Sequence, residues 1–243
     1  MRSTLFLSPI AILLLTAACG GGATSTAESE MAPVEPPQTF SSDQIPQLAA
    51  YAEGGNREVV KSGGSGNEIM RFERDAVVDA KPVTVSFTRF HDTDAGVVRI
   101  REGNDIAAYQ LTGQGNAAPI PSGAYSGQFE ADYRLSAIAN ERNRVGSADA
   151  TVDVATGDID YELRAGNILI DGDSAITQGS FSDGAATVIV SDDQGTQIST
   201  ETGIVSGITA NNADGAGIIG TATSGGPGGF EMNGGFVMTQ DGR

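Results

Sequence analysis

Tryptophan is absent from these 243 residues, and cysteine and histidine occur once each, as Cys19 and His91. Without tryptophan the chain has no broad stacking platform for sugars, which argues against a glycosidase despite 31 acidic residues. One histidine supplies neither a Ser-His-Asp triad nor a multi-histidine zinc centre. One cysteine permits no internal disulfide, so the fold rests on its core alone. Positive charge is scarce as well. Lys and Arg total 14, the formal net charge is −17, and Lys61 and Lys81 are the only lysines. Such a surface repels phosphate backbones and argues against nucleic acid as a partner. No apolar run reaches the roughly 20 residues that a membrane-spanning helix needs, and the longest, Leu5 to Leu15, contains Pro9. The expectation is a monomer with no catalytic role, no cofactor and no metal.

What the chain does have begins at its first residues. Met1-Arg2, the apolar stretch to Leu15 and then Thr16-Ala17-Ala18-Cys19-Gly20 read as a secretion signal. Small residues ahead of a lone cysteine resemble the lipobox of bacterial lipoproteins. The resemblance implies cleavage before Cys19, diacylglycerol on its thiol and acylation (palmitate) of the new N-terminus. Each buried CH₂ contributes about 0.8 kcal/mol, so one chain holds reversibly and two or more hold firmly. Gly20, in place of the Asp that retains lipoproteins at the inner membrane, implies the outer membrane. The cell surface is the expected face, with the periplasmic face as the alternative. Residues 19–44 are rich in Gly, Ser, Thr, Ala, Glu and Pro, including Pro33, Pro36 and Pro37. They read as a flexible tether.

Beyond a short helix expected over 43–53, the chain reads as strand after strand. Val83-x-Val85-x-Phe87 and Ile159-x-Tyr161-x-Leu163 alternate apolar with polar residues, so each strand has one buried and one wet face. Further strands are expected near 67–73, 97–101, 105–111, 122–134, 167–171, 175–181, 185–191, 201–209, 215–222 and 230–239. Turn signals such as Thr156-Gly157-Asp158, Asp171-Gly172-Asp173 and Asp192-Asp193-Gln194-Gly195 separate them. Residues 113–121 read as a boundary. Residues 45–118 before it form a β-rich, more charged region. Residues 119–243 after it hold eight or nine strands in up-and-down order, which close into a barrel. Gly127, Gly179, Gly207, Gly217 and Gly220 are expected at bends and bulges. Transmembrane strands need aromatic girdles that this composition cannot build.

The C-terminal part resembles a known family. Gly123-Ala124-Tyr125-Ser126-Gly127 opens it, Ser147 to Gly157 gives the next strand and turn, and Gly229-Phe230-Glu231-Met232-Asn233-Gly234-Gly235-Phe236 closes it. These stretches resemble the barrel domain of transferrin-binding protein B-like surface lipoproteins. The resemblance implies an all-β chain, with an eight-stranded antiparallel up-and-down barrel after a handle-like region and an acylated cysteine as anchor. It also implies an iron-related protein or haem as ligand.

His91, in Phe90-His91-Asp92, reads as a turn histidine, with haem ligation as the alternative. Asp92-x-Asp94 and Asp171-x-Asp173 begin like calcium loops but lack the later Gly and Glu, and so read as turn aspartates. Between Tyr133 and Ala148 a hairpin connection carries Arg134, Arg142 and Arg144 around Glu141. Three arginines on an acidic protein make a candidate contact for a host or environmental protein. The functional expectation is therefore a lipid-anchored outer-membrane binding protein. A structural lipoprotein without ligand and a lipocalin-like small-ligand carrier are the alternatives.

Overall fold

The computed structural model describes residues 37–62, 68–90, 93–115, 119–136, 139–211 and 215–241. The signal segment, Cys19, the tether as far as Pro36, His91 and Asp92 lie outside the described residues.

The chain is all-β, as the alternation requires. The first sheet comprises β1 (Thr39–Phe40), β2 (Asn56–Ser62), β3 (Glu68–Val78), β4 (Lys81–Phe90), β5 (Gly96–Arg101) and β6 (Ala108–Thr112). β3, β4, β5 and β6 follow one another in antiparallel order. β1 and β2 share the outer edge of β3, β2 antiparallel along Glu68 to Glu73 and β1 parallel at Val77 and Val78. β3 and β4 are joined by Asp79 and Ala80, both at positive φ. That is the backbone a two-residue hairpin demands, here without the usual Asn-Gly.

Among the described residues a single α-helix, α1 (Ile45–Glu53), lies where 43–53 predicted one. Pro46 suits its first turn, and Ile45, Leu48, Ala49 and Ala52 fall on one face at helical spacing. That face packs on Phe72, Val85, Phe87 and Val98 of the sheet, and Phe40 of β1 joins the cluster. The expected tether thus ends inside the folded body.

The second sheet closes on itself. β7 (Gly123–Arg134), β8 (Arg142–Asp153), β9 (Asp158–Ala165), β10 (Ile168–Ala175), β11 (Ser180–Ser191), β12 (Gln197–Asn211), β13 (Ala216–Gly225) and β14 (Glu231–Gln240) form an eight-stranded antiparallel barrel. β14 returns to pair with β7, Phe236 opposite Phe129. Asp171-Gly172-Asp173 is not a turn but the middle of β10, with the two carboxylates on one face. Gly172 sits opposite Tyr161 of β9, and a Cβ there would collide with the phenol oxygen. The actual turn is Gln178-Gly179, both at positive φ, between Thr177 and Ser180. The expected strand 175–181 is therefore mostly this connection, with only Ser180 and Phe181 in β11, which runs on through the expected strand 185–191 with a bulge between Asp183 and Ala186.

Gly179 turns the chain as expected, but other strand glycines have a different role. Gly172, Gly207 and Gly220 lie directly across from Tyr161, Phe181 and Phe236. Each leaves open the space that its neighbour's ring fills.

The outer wall over β8, β9 and β10 carries like charges face to face. Asp149 and Asp171 flank Glu162, Asp153 faces Asp158, and Asp160 faces Asp173. Arg164 relieves Glu162 at 2.7 Å. Like charges directly opposite destabilise a sheet, so Asp160→Asn should raise stability by about 0.2–1 kcal/mol at low salt. Urea unfolding at molar salt should show the gain shrinking, because exposed charges are screened.

Candidate functional site

A barrel of this kind can work through its lumen or through its outside. The lumen here is filled. Tyr125, Phe129, Tyr133, Ile159, Leu163 and Phe236 are all essentially inaccessible to solvent. Tyr161, Phe181 and Phe236 stand in series, with ring centroids 6.2 and 6.5 Å apart. At one barrel end, a cup of about 190 Å³ is lined by Ile120, Val152, Val154 and Ile176. Ligand pockets usually exceed about 300 Å³. The lipocalin-like alternative needs an open interior, and the packing of these rings leaves no such space.

The three arginines expected to share a loop do not converge. Arg134 ends β7 and Arg142 and Arg144 begin β8, so the connection between the strands is 135–141. Arg134 faces Glu231 across the β7–β14 pair at 2.7 Å, with Glu141 at 3.6 Å. Arg142 binds Asp193 on the neighbouring turn and donates to Asn167 Oδ1 at 3.1 Å. Its guanidinium holds the Asp193 carboxyl below the usual carboxylate range. Arg144 is exposed and donates to the Asn143 carbonyl at 2.9 Å. Internal carboxylates thus answer two of the three charges. Asp94 lies in an exposed bend, and no group of three or more metal-ligating side chains occurs among the described residues.

The concentrated chemistry lies elsewhere, in the seam between the first sheet and the barrel. One face of the sheet meets the wall formed by β12, β13, β14 and β7. At one end the contact is apolar, with Ile69, Phe90 and Val97 against Ile208, Ile219 and Val237. Further along it is ionic. Arg71 of β3 reaches Glu130 of β7 at 2.8 Å. Arg99 of β5 binds Asp132 at 3.0 Å through Nε and at 3.2 Å through Nη2. Tyr109 of β6 donates to the same carboxylate at 2.6 Å, and Asn143 of β8 donates to both Glu130 and Asp132. The Arg99 and Asp132 side chains are only 7% and 3% exposed.

Alternation explains the placement. On β7, Phe129, Ala131 and Tyr133 point into the lumen, so Glu130 and Asp132 must point out, where the sheet covers them. Burial works against the Arg99 charge, but Tyr109, Asp132 and Glu130 outweigh it and keep the guanidinium firmly protonated. Burial, with Glu130 beside it, pushes the Tyr109 phenol well above its ordinary range, so it stays a donor.

In the sequence, Arg71, Arg99, Glu130 and Asp132 read only as polar positions on strands. A charged residue on the wet face of a strand looks ordinary until a second sheet covers that face. The available signal was two carboxylates at i and i+2 on an outward face, matched by arginines on strands before the boundary.

Beyond the buried pairs, sheet and barrel enclose an open cleft of about 380 Å³, lined by Asn56, Glu58, Arg71, Glu73, Glu130 and Asn143 among others. Its groups can bind through charge and hydrogen bonds. No family model matches the chain, and no curated protein matches it.

Proposed function

We propose that this protein is a binding protein held at the outer membrane by lipid on Cys19, with no catalytic step of its own. The observation that carries the reading is the filled lumen. A barrel packed solid and joined to a second sheet by buried ion pairs is a rigid body whose exterior alone is available for recognition. The lipobox-like segment around Cys19 and the Gly-, Ser- and Pro-rich stretch after it support display on a tether. The resemblance to transferrin-binding protein B-like lipoproteins supports a protein partner from the host or environment, an iron-related one included.

Replacing Cys19 by alanine tests the anchor. The native protein is expected in the membrane fraction, carrying the mass of its acyl chains, and the variant in the soluble fraction. A bare thiol on membrane-derived protein, or a variant that stays with the membrane, would overturn the reading. Protease shaving of intact cells then reports the face, since release of the folded body requires surface display.

A further inference from the structure

We infer that the outer edge of β2, with the cleft beneath it, docks an extended segment of a partner protein that carries a basic side chain and adds as a further strand. This rests on the binding role proposed above and names where and by what chemistry the binding occurs. β2 pairs with β3 on one side, and among the described residues no strand pairs with its other side. An unpaired edge offers N–H and C=O groups at strand spacing to another chain. The opposite margin, β6, likewise has no second partner strand among the described residues, but its sequence Ala108-Tyr109-Gln110-Leu111-Thr112 carries no carboxylate. Along β2, Asn56 to Val59 are exposed, Val59 by 46%.

The register fixes what an added strand would meet. Glu58 lies opposite Arg71 and therefore on the barrel side, over the cleft, whereas Val59 lies opposite Met70 on the helix side. A strand beside β2 places one side chain about 5 Å from Glu58 and the next beside Val59.

Charge decides the occupant. Arg71 and Arg99 are already engaged by Glu130 and Asp132. Arg57 also lines the cleft, but it lies opposite Phe72 on the helix side of β2 and 4.0 Å from Glu68, so on the barrel side what is left over is carboxylate. No hydrogen bond or ion pair engages Glu58 among the described residues, and Glu73 accepts one bond, from Ser86 Oγ at 3.0 Å. The side chain entering beside them is thus an ammonium or guanidinium, and its neighbour beside Val59 is apolar. A second copy of this chain is a poor occupant, since two bodies of net charge −17 repel. The bulge between Val59 and Lys61 confines regular pairing to the start of β2, which suits a transient contact.

The test uses the full lipidated protein in detergent and a labelled eight-residue peptide of alternating lysine and valine, with a glutamate–valine peptide as control. Binding of the lysine peptide is expected, with slowed hydrogen exchange at residues 56–59. The paired changes Glu58→Gln and Glu73→Gln, which remove both charges and keep an acceptor for the Ser86 hydroxyl, should weaken binding at least about tenfold while leaving the melting temperature in place. The inference falls if the lysine peptide does not bind or the control binds equally well. It also falls if the paired variant binds as before, if protection appears elsewhere, or if the free diamine cadaverine binds as tightly as the peptide. Failure here with Cys19 acylated removes this site and leaves the anchored binding role standing. A bare Cys19 thiol removes the anchored role and leaves the peptide result to be read by itself.

Discussion

Replacing Arg99 by alanine is expected to destabilise the protein by about 3–5 kcal/mol, the cost of breaking a buried ion pair by removing one partner. The loss arises because Asp132 stays behind, 3% exposed, with only Tyr109 and Asn143 to answer its charge. Glu130 suffers less, since Arg71 holds it at 2.8 Å. The double change Arg99→Met with Asp132→Leu should recover most of the loss. It removes both desolvated charges together and refills the space with apolar volume. Urea unfolding of the three proteins, followed by tyrosine fluorescence and circular dichroism, makes the comparison. A cost for Arg99→Ala below about 1 kcal/mol, the range of exposed pairs, would show that water reaches the seam.

The second large effect is expected inside the barrel. Phe236→Ala removes a ring that is 1% exposed and should cost about 3–5 kcal/mol. Gly220→Val attacks the same space from the facing strand. Its Cβ would fall on the Phe236 ring and on the Ser206 carbonyl, and overpacking of this kind costs about 1–3 kcal/mol. Combined, the two changes should cost less than their sum by about 0.5–3 kcal/mol, because valine enters the space the phenylalanine left. Strict additivity in that double-mutant cycle would mean that ring and glycine do not share one site.

The glycines show how far the sequence could be read. Period-two alternation at Ile159, Tyr161 and Leu163 told strand from helix and inside from outside, and so announced the barrel. It could not tell a glycine that turns the chain from one that yields to a ring across the sheet. That distinction depends on register, which links Gly172 to Tyr161 and Gly220 to Phe236 through pairing alone. The seam was hidden for a related reason. Arg99 and Asp132 stand far apart in the chain on strands whose local patterns say only polar and outward. Nothing local reveals that the two outward faces press together. The arginines around Glu141 erred in the opposite direction. Closeness in sequence looked like a shared loop, but Arg142 and Arg144 had already entered β8.

The pairing of β14 with β7 carries a consequence for assembly order. These strands join the two ends of the barrel segment, about a hundred residues apart, so the ring gains its final seam only when Glu231 to Gln240 emerges. β14 also supplies Val237 to the apolar contact with the first sheet, so docking of that sheet waits on the same ten residues. A nascent chain lacking them would hold open sheet margins and an uncovered interior, and would remain a substrate for holding chaperones until those ten residues are made.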